Sequence, residues 1–278
     1  MVNASETILL TGLPRSGTTL CCHILNQFEN TVALHEPMVP EILPADVPGT
    51  LAAINDFVVD AREQACRGNP LPSKQLGGAI PDNPVSPVVA GERRETVVLG
   101  EIKARKPLTR DFRLVIKHNA LFTALSEQLR LDFSLFALVR NPLPVLASWN
   151  SVNLPVGEGR VPMGERFDEN LKLTLDAEAD SFKRQLILLK WFFDIFRSFP
   201  PENILTYENL VRTDGNLLRR LSPFERSESS KINAQFKNSG LDAQELKSLS
   251  SALLERPDIY EGCYSRTDIE NNLEEMLQ

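Results

Sequence analysis

Five short apolar runs punctuate the chain: "ILLTG" from Ile8, "TVALH" around Val32, "FRLVIK" around Val115, "SLFALV" around Phe136 and "NILTY" around Leu205. Runs of this length and composition suit strands buried in a parallel sheet. Between most of them apolar residues recur at helical spacing, as in "NALFTALSEQL" and "PLPVLASWN". The alternation predicts an α/β fold, a parallel sheet covered by helices on both faces. A longer helix is predicted from Ser181 to Phe199, with Leu186, Leu189, Trp191, Phe193 and Phe196 on its buried side. Its aromatic stripe reads as core, not as a ligand platform.

Between Pro37 and Glu95 the rhythm breaks. Pro40, Pro44, Pro48, Pro70, Pro72, Pro81, Pro84 and Pro87 surround one predicted helix, Leu51 to Ala65. This stretch is expected to be a Pro-rich insertion, 37–95, lying over the sheet as a cap on the substrate side. No internal repeat is present, and the expectation is a single domain over residues 1–278.

Composition narrows the function. With 278 residues, 42% of them hydrophobic, the chain can bury a substantial core. Its net charge of −7 provides no overall basic field, so nucleic acid and anionic membrane are not expected partners, and an anion must be met by a local pocket. Cys21, Cys22, Cys66 and Cys263 lack metal-ligand spacing, and no metal is expected. The start "MVNASETILLTG" has no basic n-region, and no window reaches transmembrane length. Together these predict a cytoplasmic protein without a membrane span; the oligomeric state is left open.

The first apolar run leads into "GLPRSGTT", Gly12 to Thr19, followed by Leu20, Ile24 and Phe28 at helical spacing. Strand, glycine loop and helix form a phosphate-binding arrangement in which backbone N–H groups and the helix dipole meet an oxyanion. In a nucleoside-triphosphate loop, lysine follows the second glycine and reaches the β- and γ-phosphates. Here Thr18 holds that position, and the nearest cation is Arg15.

The string "PRSGTT" resembles the 5′-phosphosulfate loop of sulfotransferases that use 3′-phosphoadenosine 5′-phosphosulfate (PAPS), in the arginine-bearing form of tyrosylprotein sulfotransferases and many bacterial relatives. The resemblance implies a P-loop-type fold, with Pro14, Arg15, Ser16, Gly17, Thr18 and Thr19 forming the loop. Arg15 would lie against the phosphosulfate, and Thr18 and Thr19 on the 5′-phosphate. It explains the missing lysine, because PAPS has no γ-phosphate, and it implies transfer without a metal.

Two further motifs fit the same family. In "SLFALVRNPLPVLASW" a strand ends in Arg140 and a helix carries Ser148, like the family's 3′-phosphate motif; a guanidinium offers paired donors to phosphate and a hydroxyl adds one more. In "NILTYENL", Tyr207 corresponds to the residue that contacts adenine, with Glu208 or Asn209 near the helix cap. The likeness runs from about Ile8 to Val211 and aligns poorly across the insertion. In "CYSRTDIEN", Ser265 or Arg266 is a candidate phosphate contact, with a polar turn before the last helix as the competing reading.

Sulfuryl transfer needs a base for the acceptor proton and cations for the leaving phosphate. Glu36, in "VALHEP", falls where tyrosylprotein sulfotransferases keep their catalytic Glu, although His35, Glu36, Pro37 replaces the family's acid pair. His118, in "VIKHN", coincides with the catalytic His of the small-molecule branch and is the second candidate. Lys117 and Arg15 are the expected electrostatic stabilisers. The implied reaction moves a sulfuryl group from PAPS to a hydroxyl or amine on a small-molecule, glycan or peptide acceptor, releasing 3′-phosphoadenosine 5′-phosphate (PAP). The alternatives are a small-molecule P-loop kinase, which Gly12 to Thr19 alone would permit, and a non-catalytic PAPS or PAP binder.

Overall fold

A computed structural model of the chain describes residues 6–87, 93–227, 231–232 and 240–278. All five apolar runs become strands: β1 (Thr7–Gly12), β2 (Thr31–His35), β5 (Arg113–Lys117), β6 (Ser134–Val139) and β7 (Ile204–Thr206). They form one parallel sheet in the order β2-β5-β1-β6-β7. Helices flank it: α1 (Thr18–Leu25), α3 (Asn119–Ala124), α4 (Ser126–Asp132), α5 (Pro142–Trp149), α6 (Pro162–Phe167), α7 (Glu169–Ala177), α8 (Ser181–Phe196), α9 (Tyr207–Arg212), α10 (Ala243–Leu254) and α11 (Arg266–Leu277).

The central strands are apolar on both faces because helices cover both. Leu9, Leu10, Val115, Ile116 and Leu138 are wholly buried, in one cluster with Leu146 of α5 and Phe192 of α8. Truncating one of these leucines to alanine costs about 2–5 kcal/mol, from lost transfer energy and the cavity left behind. The pattern "NALFTALSEQL" is two helices, since Leu125 leaves helical geometry at φ −99° and ψ 14°. In α8, Leu186, Leu189, Phe193 and Phe196 are buried; Trp191 is half-buried and its indole N–H donates to Asp168 Oδ2 at 2.7 Å.

The stretch 37–95 is more ordered than its prolines suggest. It contains α2 (Val47–Cys66), started by Asp46, whose Oδ1 accepts from Gly49 N–H at 2.8 Å with Pro48 in the first turn. It also contains β3 (Leu71–Gln75), which pairs antiparallel with β4 (Val98–Ile102). The partner strand thus lies beyond the predicted boundary at Glu95. This two-stranded ribbon docks on the end of β2, where His35 N–H donates to Ser73 Oγ at 3.0 Å.

Every strand of the parallel sheet ends on the same side, and β1 is flanked by β5 on one side and β6 on the other. The connections depart from β1 in opposite directions across the sheet, so the carboxyl ends of β1, β5 and β6 frame the crevice in which such sheets bind ligands.

Candidate functional site

The loop after β1 is tightly fixed. A side chain at Gly12 would bring its Cβ within 2.4 Å of Leu138 O, and one at Gly17 (φ 97°) would meet the Tyr207 ring at 2.7 Å. Only glycine lets the loop pass this close to β6 and to Tyr207. Helix α1 begins at Gly17 with no side-chain cap and no acid in its first turn. By contrast α2, α5, α8 and α11 are capped by Asp46, Asn141, Asp180 and Ser265. The uncapped first turn borders a cavity of about 800 Å³ lined by Pro14, Arg15, Gly17, Thr18 and Thr19. That arrangement favours an anion. Ser16 does not line it: its N–H donates to Leu13 O at 3.1 Å and its hydroxyl to Leu138 O at 3.1 Å, so both donors hold the shape of the loop.

One bank of the cavity is built around two guanidiniums. Arg15, at a left-handed φ of 70°, donates from Nε to Ser148 Oγ at 3.1 Å and from its terminal nitrogen to Asn83 Oδ1 at 3.3 Å. Arg140 donates to Arg15 O at 3.2 Å and lies 4.2 Å over the Tyr207 ring. Trp149 Nε1 donates to Pro14 O at 2.8 Å and ties α5 to the loop. Pro14, Arg15, Arg140, Ser148 and Tyr207, drawn from three motifs, therefore form one contiguous surface. Burial pushes Arg15 down to about 9, and the like charges of Arg93 and Arg140 push it the same way. Burial also lowers Arg140. Behind this bank stands Glu208, which sequence reading noticed only as a cap residue. It accepts from Asn141 N–H at 2.9 Å and from the Tyr264 hydroxyl at 2.8 Å.

The opposite bank joins the ends of β2 and β5. Glu36 occupies a left-handed φ of 44°, and its N–H donates to Lys117 O at 2.8 Å. Its Oε1 meets Lys117 Nζ at 2.6 Å, and its Oε2 lies 3.1 Å from Lys74 Nζ, which also reaches Glu95 Oε1 at 2.9 Å. Burial alone would raise the Glu36 carboxyl, but Lys117, His35, Lys74 and His118 together hold it well below the usual carboxylate range. Of the four non-glycine residues with positive φ among those described, two are Arg15 and Glu36. Such strain persists where surrounding contacts enforce it, as at functional sites.

His118 faces the same space differently. Its Nε2 accepts from Met38 N–H at 3.3 Å, which places the proton of the neutral ring on Nδ1. Burial, with Lys117 and Lys74 nearby, lowers it to about 3. His35, half of the departure from the family's acid pair, is buried beside Thr19, 3.4 Å from Nε2 to Oγ1, and burial holds it well below its ordinary value. Both rings are neutral at physiological pH.

The cavity lining carries eight Lys or Arg and four Asp or Glu among the described residues, the reverse of the chain's net negative balance. The lining also has an aliphatic part, Leu154, Val161, Met163 and Met38, the last in contact with His118 through its N–H. Ser265 and Arg266 do not reach it. Ser265 caps α11 in a reciprocal capping box with Asp268, and Arg266 pairs with Glu270 at 3.0 Å, so the polar-turn reading of that segment describes what is found. Among the described residues no helix is long and apolar enough to cross a membrane.

No family model and no curated protein matches the chain. Among solved structures it is similar to the sulfotransferase domain from the curacin biosynthetic pathway, at 15% identity over 97% of this chain and 96% of that one, with a TM-score of 0.37. It is also similar to sulfotransferase STF1 from Mycobacterium tuberculosis, at 12% identity over 98% of this chain and 76% of that one, with a TM-score of 0.33. At these values neither likeness carries a conclusion about this chain's chemistry.

Proposed function

We propose that this chain is a PAPS-dependent sulfotransferase acting on an acceptor hydroxyl or amine. The observation that carries the reading is the convergence of Arg15, Ser148, Arg140 and Tyr207 on a phosphate loop with threonine in the lysine position. The donor set suits the group: two guanidiniums, several hydroxyls and an uncapped helix N-terminus with no acid in its first turn are chemistry for phosphate and sulfate oxygens. A cavity of about 800 Å³ lies within the range of small-molecule and cofactor sites.

In this reading Arg140 and Ser148 hold the 3′-phosphate, Thr18 and Thr19 the 5′-phosphate, and the Tyr207 ring meets the adenine. When bound, PAPS supplies a sulfuryl group at its 5′ end and departs as PAP. Arg15 and Lys117 neutralise charge on the phosphate side. Glu36 accepts the acceptor's proton. A fully ionised carboxylate keeps lone pairs beyond those used by Lys117 and Lys74, so it can receive a hydrogen bond from an entering O–H. Support for Glu36 over His118 comes from the Met38 amide, which occupies the lone pair of His118 Nε2.

The test is transfer of sulfate-labelled PAPS to a panel of alcohols, sugars, amines and tyrosyl peptides in excess chelator. Labelled acceptor is the expected result, because PAPS offers no β,γ-phosphate pair for Mg²⁺ to bridge. Label moving instead from the γ-phosphate of ATP, with an absolute need for Mg²⁺, would assign the site to a kinase. Tight PAP binding with no transfer across the panel would assign it to a binding protein.

A further inference from the structure

We infer that Lys74, supplied by the β3–β4 ribbon, is a positioning residue for Glu36, and that the ribbon is thereby a working part of the catalytic centre. The inference rests on the sulfotransferase reading for its consequence but on separate contacts for its substance.

Glu36 sits just past β2 at a left-handed φ of 44°, with a quarter of its side chain exposed. Lys117, only 2% exposed, holds Oε1 from the sheet side. A single bond to one oxygen leaves the carboxylate free to turn about its terminal torsion, which is broad and roughly two-fold. Lys74 occupies the other oxygen at 3.1 Å, so the plane of the carboxylate is held from both ends.

Lys74 is itself held. Its Nζ lies 2.9 Å from Glu95 Oε1, and the two carboxylates raise Lys74 to about 12 although burial opposes them. Glu95 lies on the return segment of the ribbon just before β4, where it bridges to Val85. The order is therefore Lys117, Glu36, Lys74, Glu95, alternating in charge from the sheet interior to the ribbon. The ribbon's own seat does not depend on this chain of charges. Ser73 Oγ takes His35 N–H, and five residue pairs join β3 to β4. Removing the Lys74 ammonium should therefore leave the ribbon docked while releasing one end of Glu36.

Four proteins decide the matter: unaltered, Lys74→Met, Lys74→Arg and, for assignment, Glu36→Gln. Carbon-13 spectra of the Glu carboxyls, with Glu36→Gln to assign the resonance, follow the protonation of Glu36 directly. Lys74→Met is expected to raise its midpoint by about one pH unit or more, through loss of a neighbouring cation, and Lys74→Arg to restore it. In transfer assays Lys74→Met should lower kcat by roughly 10- to 100-fold and move the acid limb of the pH profile upward with the midpoint, with PAP affinity unchanged. A carboxyl midpoint that does not move in Lys74→Met overturns the inference, whether or not the protein transfers sulfate. A midpoint that moves with no loss of kcat in an active enzyme also overturns it. Failure of the unaltered protein to bind PAP or transfer sulfate strikes instead at the functional reading, and the spectra still judge the contact.

Discussion

The two banks of the cavity carry positive charge in opposite ways. On the loop side Arg15 and Arg140 crowd together with Arg93 nearby, and Arg15 is pushed down to about 9 by burial and by these like charges. On the side of β2 and β5 each ammonium faces a carboxylate: Lys117 meets Glu36, and Lys74 meets Glu36 and Glu95. Lys74 is raised to about 12 in spite of burial. The second bank pairs each ammonium directly with a carboxylate, whereas in the proposed reading the first meets the charge of a bound nucleotide. Nucleotide affinity should therefore depend on the first bank and turnover on the second.

The largest expected effect separates the banks outright. Glu36→Gln removes the proposed base but no proposed phosphate contact, so single-turnover transfer should fall by roughly 10²–10⁴-fold while calorimetric PAP affinity holds. Equal loss of both would mean that the banks are not independent. Arg140→Ala works from the other side. Losing a charge-assisted contact to phosphate should weaken PAP by about 1.5–3 kcal/mol, with little change in AMP binding, and retained affinity would remove Arg140 from the site. Ser148→Ala is milder. It deletes the hydroxyl that receives Arg15 Nε, and PAP affinity should drop by about 1 kcal/mol, read from the same titrations.

The smallest effect is a null. His118 at about 3 is already neutral, so the kcat profile of the unaltered protein should show no histidine inflection between about pH 5.5 and 7.5. His118→Gln should leave that stretch of the profile unchanged in shape. An inflection near 6.5 that vanishes in the variant would make His118 the base and Glu36 its neighbour.

Much of this arrangement was legible in the chain. The strands are short and apolar, and the central ones are buried on both faces, so composition marks them, and the residues just past β1, β2, β5 and β6 follow from where those runs stop. The loop was legible because close approach at Gly12 and Gly17 demands glycine. The inward turn of the Ser16 hydroxyl toward Leu138 O was not legible, because a motif gives position along the chain, not the direction of a hydroxyl. The β3–β4 ribbon was missed for a different reason. Pro72 interrupts one strand, and in the other Val98 and Leu99 are exposed, so no buried apolar run announces it. Lys74 and Glu95 were missed with it, since an ion pair between distant, polar, half-exposed residues leaves no periodic trace.

The claim that the loop bank awaits a 3′-phosphorylated nucleotide is tested most directly by titration calorimetry of PAP against AMP and ATP, with Arg140→Ala as the partner protein. The account predicts that the unaltered protein binds PAP at least about tenfold more tightly than either competitor, without added metal, and that the preference collapses in the variant. Equal affinity for PAP and ATP, or a preference that survives loss of the Arg140 guanidinium, would contradict it.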